Sequence, residues 1–332
     1  MSEIQHANPF GFDPIPAYEL FTGRSKVIDE IEYYLNLCNK YNKFNLLIVG
    51  PSGSGKTSLL NYIKLKMEHE NIKLLFVEID LMQSKFKKDV TLFKQILDEI
   101  SYKINIKPSI CQEEFFDNDF INISASRLRN CFEILSHEAR NQDYQSIILI
   151  FDDSEFLRTN RNLLSTIKLI FSRLNGYNLV FLGIEDTKGL LKSFSPVPIE
   201  LNYFENKGEV KSCITAKLKD HERNLIDDNV YDEIFKLTKG CPRLVMLFAH
   251  YLYRKYFEEK KANCSINCLD SEIIEKILFL LDTQNIDAKF CDEVRLMLKQ
   301  KLSLSKKVEQ MRQKSANVGG AKIIYDQMME KS

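Results

Sequence analysis

Residues 50–58 read GPSGSGKTS and follow a short apolar run, which gathers glycines, hydroxyl groups and a lysine in one loop. Glycines allow a backbone to wrap closely around a polyphosphate with its amide groups pointing inward. The ammonium group of Lys56 suits the β- and γ-phosphates of a nucleotide, and the hydroxyl group of Thr57 suits a magnesium ion. The spacing G-x-x-x-x-G-K-T therefore predicts a phosphate-binding loop.

Every residue of this loop is a candidate for contact with the nucleotide, and Thr57 is also a candidate metal ligand. The helix that begins at Thr57 would direct its positive end toward the same phosphates. A glycine-rich turn that binds nothing is the alternative. The apolar run before the loop, the amphipathic helix after it and the intact lysine favour a phosphate-binding loop built from Gly50, Pro51, Ser52, Gly53, Ser54, Gly55, Lys56, Thr57 and Ser58.

A second group of candidate residues follows the apolar run SIILIF at residues 146–151. A continuous run of this kind is typical of a central parallel strand that is buried on both faces. It ends in Asp152 and Asp153, with Glu155 two positions further on. A carboxylate at this end of a strand can hold Mg²⁺, and another can orient an attacking water molecule. We therefore expect Asp152 to bind the metal and Asp153 or Glu155 to position water.

The elements that must position these residues alternate between strands and helices. Such alternation predicts βαβ units and a parallel sheet with right-handed crossovers. Pro198 restricts the fifth strand to an edge of the sheet. The acidic and aromatic stretch at about 108–123 is predicted to be a loop or an insertion. We expect strands at about 44–49, 72–79, 146–151, 179–183 and 197–201, with helices at about 24–35, 57–70, 89–104, 124–140 and 162–174.

From about residue 205 the strand-like runs disappear and helices follow one another. Gly240 ends one predicted helix, and Pro242 begins the next at its first turn. We expect a nucleotide-binding α/β domain at 1–204, a helical lid domain at 205–285 and a helical C-terminal extension at 286–332. The predicted helices of this half lie at about 208–220, 227–238, 242–258, 270–281 and 288–301.

The composition limits the classes of protein to which this chain can belong. The chain has 332 residues, of which 44% are hydrophobic, and this is enough for about two domains with a real core. The formal net charge is zero, so contact with nucleic acid would need a local basic patch. The sequence shows no signal-peptide pattern and no apolar run of about 18 residues, so we expect a cytoplasmic protein without a membrane partner. Eight scattered cysteines suit a reducing compartment.

Four features, taken in order along the chain, resemble the AAA+ superfamily. They are Phe21-Thr22-Gly23-Arg24 before the first strand, the intact phosphate-binding loop, the apolar run that ends in Asp152-Asp153, and Gly240-Cys241-Pro242-Arg243 at the start of a helix. The chain is most similar to the branch shared by origin-recognition-like ATPases and the signal-transduction ATPases with numerous domains. The resemblance covers residues 8–282, which leaves the C-terminal part of the chain outside it.

This resemblance implies a P-loop NTPase fold with three α/β/α layers, a parallel five-stranded sheet of order 5-1-4-3-2 and an all-helical lid. It implies ATP and Mg²⁺ as cofactors. Arg24 would lie near the nucleotide base, and Arg243 would be the lid arginine that senses the γ-phosphate; a local ion pair is the alternative for Arg243. Asn178 or Glu185 would supply a polar sensor. The candidates for an arginine finger are Arg158, Arg161 and Arg173, of which Arg173 is preferred; for Arg173 a solvated surface residue is the alternative.

Two functions agree with these features. The first is an ATP-hydrolysing switch or motor that forms a homo-oligomer on ATP binding and drives a partner protein or a DNA transaction. The second is a nucleotide-binding signalling module with little or no turnover. Asp153 is one methylene shorter than the glutamate that many AAA+ hydrolases carry, which suits slow hydrolysis. The lysine-rich stretch from Lys299 to Lys314 is either a solvated helix face or a contact for DNA or an acidic partner.

Overall fold

A computed structural model describes residues 9–10, 21–37, 43–82, 89–106, 125–224, 226–259, 266, 268–269, 271–281 and 288–316. The chain divides into two compact units. The α/β unit comprises residues 13–202, and the helical unit comprises residues 1–12 together with 203–332. The predicted loop or insertion at about 108–123 lies outside the described residues.

Five parallel strands form the sheet of the α/β unit, and their spatial order is β2-β3-β4-β1-β5. This is the expected order 5-1-4-3-2 counted from the other edge, so the fold prediction is confirmed. Leu201 donates its N–H to the carbonyl of Val49 at 2.7 Å. Only alternate residues of β5 direct their backbone nitrogen toward β1, and the nitrogen of Pro198, which carries no hydrogen, points away from it. Of the described strands only β1 pairs with β5, which confirms the edge position of Pro198. The strands are β1 (Asn45–Val49), β2 (Leu74–Asp80), β3 (Ser146–Asp152), β4 (Tyr177–Gly183) and β5 (Val197–Glu200).

Helices cover both faces of this sheet, which gives the three expected layers. One face carries α1 (Ser25–Leu37) and α2 (Lys56–His69), and the other carries α3 (Asp89–Lys103), α4 (Ala125–Asn141) and α5 (Arg161–Phe171). In β1 the side chains of Leu46 and Ile48 are buried toward the first face, and those of Leu47 and Val49 toward the second. Burial of a side chain of this size contributes about 1.5–3 kcal/mol. A short helix, α6 (Thr187–Leu190), follows β4.

The helical unit contains the predicted succession of helices. Its elements are α7 (Lys207–Thr215), α8 (Asp220–Arg223), α9 (Asp228–Thr238), α10 (Pro242–Tyr253) with a π-helical continuation at Arg254–Glu259, α11 (Ser271–Leu280) and α12 (Ala288–Ala316). The last helix extends well past the predicted end at residue 301, because neither glycine nor proline interrupts the sequence before Gly319. Cys291, Val294 and Leu298 of α12 are buried in the core of this unit. Over the described ranges, no helix is long and apolar enough to cross a membrane.

Candidate functional site

The carboxyl ends of β1, β3 and β4 bring the predicted loop and the predicted carboxylates to one edge of the sheet. Gly50 follows β1, Asp152 ends β3, and β4 lies between these two strands. The N–H of Gly50 donates to the carbonyl of Gly183, the last residue of β4, at 3.1 Å. Because parallel strands all end at the same edge, residues that are far apart in sequence meet there.

The backbone of the loop requires glycine at three positions. A Cβ atom on Gly50 would lie 2.1 Å from the carbonyl oxygen of Leu201, so no side chain fits there. Gly53 and Gly55 have φ angles of 80° and 93°, in the left-handed region that other residues rarely adopt. The N–H of Ser54 donates to the carbonyl of Pro51 at 3.1 Å and closes the turn between them. The loop has the tight shape that a phosphate cradle needs.

Lys56 is the first residue of α2, and its ammonium group folds back over the loop. The Nζ atom donates to the carbonyl of Gly50 at 2.9 Å and to that of Pro51 at 3.3 Å. Gly55 precedes the helix and supplies no capping side chain, so no cap occupies the first amides of α2. These amides and the positive end of the helix dipole face the loop. An ammonium group and a helix amino end together make this loop suitable for a polyphosphate.

The two predicted metal ligands are direct neighbours. The hydroxyl group of Thr57 donates to Asp152 Oδ2 at 3.1 Å, and the N–H of Asp153 donates to Asp152 Oδ1 at 2.9 Å. Both carboxylate oxygens of Asp152 are thereby oriented. Among the residues that the structure describes, no group of three or more His, Cys, Asp or Glu side chains could hold a metal ion. A hydroxyl and a carboxylate fit Mg²⁺, which takes one or two protein oxygens and completes its shell with phosphate and water.

Asp153 occupies an unusual backbone position directly after the strand. Its φ and ψ angles are 51° and 45°, and it precedes a 3-10 helix at Ser154–Arg158. A non-glycine residue in this left-handed region costs about 1–3 kcal/mol, and such strain concentrates at functional sites. Burial raises the pKa of the Asp153 carboxyl to about 6, with further contributions from the negative charges of Asp152, Glu155 and Asp80, against the opposing effect of Lys56.

Glu155 and Asp80 complete a group of carboxylates at this edge. Glu155 lies in the 3-10 helix, and its Oε2 atom is buried with no hydrogen-bond partner within the described ranges. Asp80 ends β2 and is the register partner of Asp152 in β3. Asp80 is a site residue that the sequence analysis missed, although the carboxylates that end two strands of one sheet were a signal that could have identified it.

Arg24 and Arg243 lie in different units. Arg24 has a φ angle of 63°, and its guanidinium donates to the carbonyl of Asn202 at 2.9 Å, so it holds the segment that follows β5. Arg243 lies in the first turn of α10 with an exposed side chain. Gly240, just before this helix, has a φ angle of 72°, and a Cβ there would lie 2.1 Å from the carbonyl oxygen of Phe204. The nucleotide contacts expected of both arginines remain predictions.

The structure separates the two sensor candidates. Asn178 lies near the amino end of β4, at the far end of the strand from Gly183 and about 17 Å away along it. Its Oδ1 atom accepts from the N–H of Phe44 at 2.8 Å, and its Nδ2 atom donates to Ser146 Oγ at 2.8 Å. The prediction of a sensor at Asn178 is therefore wrong, because this amide joins strands at the opposite edge. Glu185 follows the carboxyl end of β4 and pairs with Lys188 at 2.6 Å.

The three candidates for an arginine finger are all exposed. Arg158 ends the 3-10 helix and forms an ion pair with Asp186 at 3.1 Å. Arg161 begins α5, and Arg173 follows the end of that helix. Exposure is compatible with contact to a neighbouring subunit, and the choice among the three remains a prediction.

Comparisons with known proteins agree with this geometry. A family model described as the KAP family P-loop domain matches residues 24–128. A search of curated proteins found no significant match. Among solved structures, the Aeropyrum pernix ORC1 protein in complex with DNA has 12% sequence identity and a TM-score of 0.52, over 81% of this chain and 72% of that chain. Drosophila ORC bound to DNA has 10% identity and a TM-score of 0.54, over 93% of this chain and 82% of that chain.

The family model and the structural similarities support the same conclusion. The matched range 24–128 includes the complete phosphate-binding loop at residues 50–58. At 10–12% identity the solved structures show the fold alone, and that fold contains the parallel sheet and helical region found here. The predicted resemblance is confirmed at the level of the fold: residues 24–128 match a P-loop domain model, and the chain has the fold of the AAA+ ATPases to which these structures are similar.

Proposed function

We propose that this protein binds ATP with Mg²⁺ and hydrolyses it slowly, and that the nucleotide state switches its interaction with a partner protein or DNA. The observation that carries the proposal is the 3.1 Å hydrogen bond from Thr57 to Asp152 beside the glycine-rich loop. The hydroxyl group of Thr57 and the oriented carboxylate of Asp152 are oxygen ligands of the kind that would hold Mg²⁺ beside a bound nucleotide.

Each loop residue then has a definite task. The backbone amides of residues 50–58 and the amino end of α2 bind phosphate oxygens, and Lys56 exchanges its bonds to the carbonyls of Gly50 and Pro51 for bonds to phosphate. Thr57 and Asp152 would hold Mg²⁺, which would neutralise phosphate charge. Asp153, with its pKa raised to about 6, or Glu155, with its buried oxygen, orients the attacking water.

The arginines extend the site in this proposal. Arg24 lies near the nucleotide base, where its bond to Asn202 already fixes its position. Arg243 approaches the γ-phosphate from the helical unit and thereby distinguishes ATP from ADP. One of Arg158, Arg161 and Arg173 reaches the nucleotide of a neighbouring subunit when ATP binding brings copies together. These roles follow the resemblance to AAA+ ATPases.

The partners of this switch are a second copy of the chain, another protein and, through α12, DNA. The two structural relatives described above are DNA complexes. Lys301 pairs with Glu233 at 2.6 Å and Lys306 pairs with Glu275 at 3.0 Å, so these two lysines fasten α12 to α9 and α11. Lys299 and Lys307 are exposed. A DNA contact within the stretch from Lys299 to Lys314 would therefore use these two lysines before the paired ones.

We assign the protein to the cytoplasm.

A second candidate function is a module that holds ATP with little or no turnover. The short Asp153 side chain at a strained backbone position favours it, because water must then be oriented from a longer distance. Turnover by the full chain at saturating ATP and Mg²⁺, measured with and without duplex DNA, separates the two functions. Steady hydrolysis that Asp152→Asn abolishes supports the ATPase. Tight ATP binding without hydrolysis under either condition would establish the module instead.

A further inference from the structure

Helix α10, which carries Arg243, is fastened at both ends by the segments that connect the two units. The chain passes between the units at two places, after residue 12 and after residue 202. The residues beside these two passages are Phe10 and Phe204, and both contact α10 or the residues that begin it. Phe10, Phe204 and α10 all belong to the helical unit, so these contacts lie inside that unit.

At the amino end of α10, the attachment is made through Gly240. The N–H of Phe204 donates to the carbonyl of Gly240 at 2.9 Å. The Cα of Gly240 packs so closely on the carbonyl of Phe204 that a Cβ would lie 2.1 Å from its oxygen. The side chain of Tyr203 also forms a hydrogen bond with that of Cys241, the residue just before the helix. Residues 203–204 therefore hold the start of α10 in position.

At the carboxyl end of α10, the attachment is made through Phe10. Its carbonyl oxygen accepts a hydrogen bond from His250 Nδ1 at 2.8 Å, and its ring packs on Tyr253 with 5.8 Å between the ring centroids. A carbonyl can only accept, so Nδ1 of His250 carries the hydrogen. Phe10 is 1% exposed and is part of the same hydrophobic core as α10. An N-terminal residue thus completes the packing of a helix about 240 residues later.

Between these attachments α10 is almost entirely buried. Seven of its side chains form the centre of the core: Leu244, Val245, Leu247, Phe248, Ala249, Leu252 and Tyr253. A helix packed on most of its surface moves as a rigid body, because tightly packed interiors do not deform continuously. A displacement imposed at either end of α10 would therefore also move Arg243 in its first turn.

We propose that Phe10 is a positioning residue for Arg243, because it sets the position of α10 and thereby of the arginine in the first turn of that helix. This inference rests on the proposed ATP binding. It assigns to Pro9-Phe10 the function of an anchor that sets the position of α10 from its carboxyl end, while Gly240 sets it from the amino end. Phe10 then contributes to the discrimination between ATP and ADP through its packing on α10.

The first test compares the ATP and ADP dissociation constants of full-length variants. We expect Phe10→Ala to lower the ratio of the ADP constant to the ATP constant by about fivefold or more, and to change ADP binding little. Phe10→Leu, which keeps an apolar side chain in the core, should restore most of the ratio. The matched control is Leu298→Ala, which opens the same core at a buried position on a different helix, α12. The control should lower the melting temperature and leave the ratio unchanged.

The second test does not depend on nucleotide. Hydrogen exchange of the nucleotide-free chain should become faster in residues 242–253 of Phe10→Ala than in α11, whereas Leu298→Ala should not single out α10. His250→Ala removes the hydrogen bond to the carbonyl of Phe10 and the ring contact with Tyr251, and it leaves the Phe10 side chain in the core. It should shift exchange in the same direction by less, and it replaces Phe10→Ala in this test if that variant folds poorly.

The two tests distinguish the ways in which the inference can fail. Unchanged exchange in α10 would show that Phe10 is not an anchor. Faster exchange with an unchanged ratio, or an equal loss of the ratio in Leu298→Ala, would show that Phe10 acts on stability alone. A wild-type protein that binds ATP and ADP equally would overturn the proposed switch itself, and exchange would still decide whether Phe10 holds α10.

Discussion

The hydroxyl group of Thr57 donates a hydrogen bond of 3.1 Å to Asp152 Oδ2, although 95 residues separate the two along the chain. One residue belongs to the first turn of the helix after β1, and the other ends β3. The parallel sheet brings them together, and β4 lies between their strands. The pair joins the phosphate-binding loop to the acidic residues, and in the proposed function it supplies two oxygen ligands for Mg²⁺.

Asp152→Asn should remove Mg²⁺-dependent turnover more completely than Asp153→Asn. The first carboxylate is oriented by Thr57 and by the N–H of Asp153, so it is placed to hold the metal. The second orients water from a short side chain, and Glu155 can replace it in part. Steady-state hydrolysis by the two variants and by Glu155→Gln tests this order. If Asp153→Asn hydrolyses ATP at the wild-type rate and Glu155→Gln does not hydrolyse it, Glu155 positions the water.

Asp153→Asn should stabilise the nucleotide-free, metal-free protein near neutral pH. The pKa of this carboxyl rises from 3.8 to about 6 on folding. A raised pKa gives stability that is complete below the unfolded value and is lost as the pH rises through the folded value, so the charged carboxylate destabilises the wild type at about pH 7.5. Because the group is half exposed, we expect a gain of about 1–2 kcal/mol in the free energy of unfolding.

Urea denaturation in the presence of a chelator, at about pH 7.5 and about pH 4, measures this gain. The gain should shrink at the lower pH, where the wild-type carboxyl is protonated in the folded state and close to half protonated in the unfolded state. Asparagine also tolerates the left-handed backbone of this position. A gain of equal size at both pH values would assign the whole effect to the backbone and contradict the electrostatic explanation.

Arg243→Ala should leave the affinity for ADP nearly unchanged and weaken the affinity for ATP. A charge-assisted hydrogen bond to the γ-phosphate is worth about 1.5–3 kcal/mol, or about tenfold to a hundredfold in affinity, and exists only for the triphosphate. Dissociation constants for both nucleotides provide the measurement. Lys236→Ala is a suitable control, because Lys236 is also a cation of the helical unit and pairs with Asp232 at 2.7 Å. Equal weakening of both nucleotides would make Arg243 a structural residue.

Replacement of Lys299 and Lys307 by alanine should weaken binding to duplex DNA with little effect on stability, because both side chains are exposed. Each lysine that contacts a phosphate contributes about one unit to the slope of log affinity against log salt, so the slope should fall by about two. Lys301→Ala should instead lower stability, because it leaves Glu233 without its ion pair at 2.6 Å. An unchanged salt dependence in the double variant would exclude this face of α12 as the DNA contact.

The local patterns of the sequence were sufficient to predict the loop, the strands and most helices. The apolar run before Gly50 and the one that ends at Asp152 depend only on neighbouring residues, and both were found as strands. The order of the sheet required the resemblance to AAA+ ATPases, because periodicity does not reveal which strands are adjacent. The extended length of α12 was missed because its outer part is polar and lacks an apolar stripe of the expected width.

Other features depend on contacts that no local pattern reveals. Asp80 becomes a site residue only because β2 pairs with β3 in a register that aligns it with Asp152. Asn178 was expected to act as a sensor, but it lies at the opposite edge of the sheet from the loop. Phe10 packs against a helix about 240 residues later, a contact that the residues next to it in sequence do not indicate. Long-range packing decides all three positions.

The most direct test of the account is calorimetry of ATP binding to the full-length protein and to Lys56→Ala, each with Mg²⁺ and with a chelator. The wild type should bind ATP, and more tightly with Mg²⁺. Lys56→Ala should lose binding by about a hundredfold or more while its circular dichroism stays unchanged, because the two hydrogen bonds described above join the ammonium group to carbonyls of the loop itself. Lys64→Ala, on the same helix with an ion pair to Glu78, should bind like the wild type. ATP binding by Lys56→Ala with wild-type affinity would contradict the assignment of this loop as the nucleotide site.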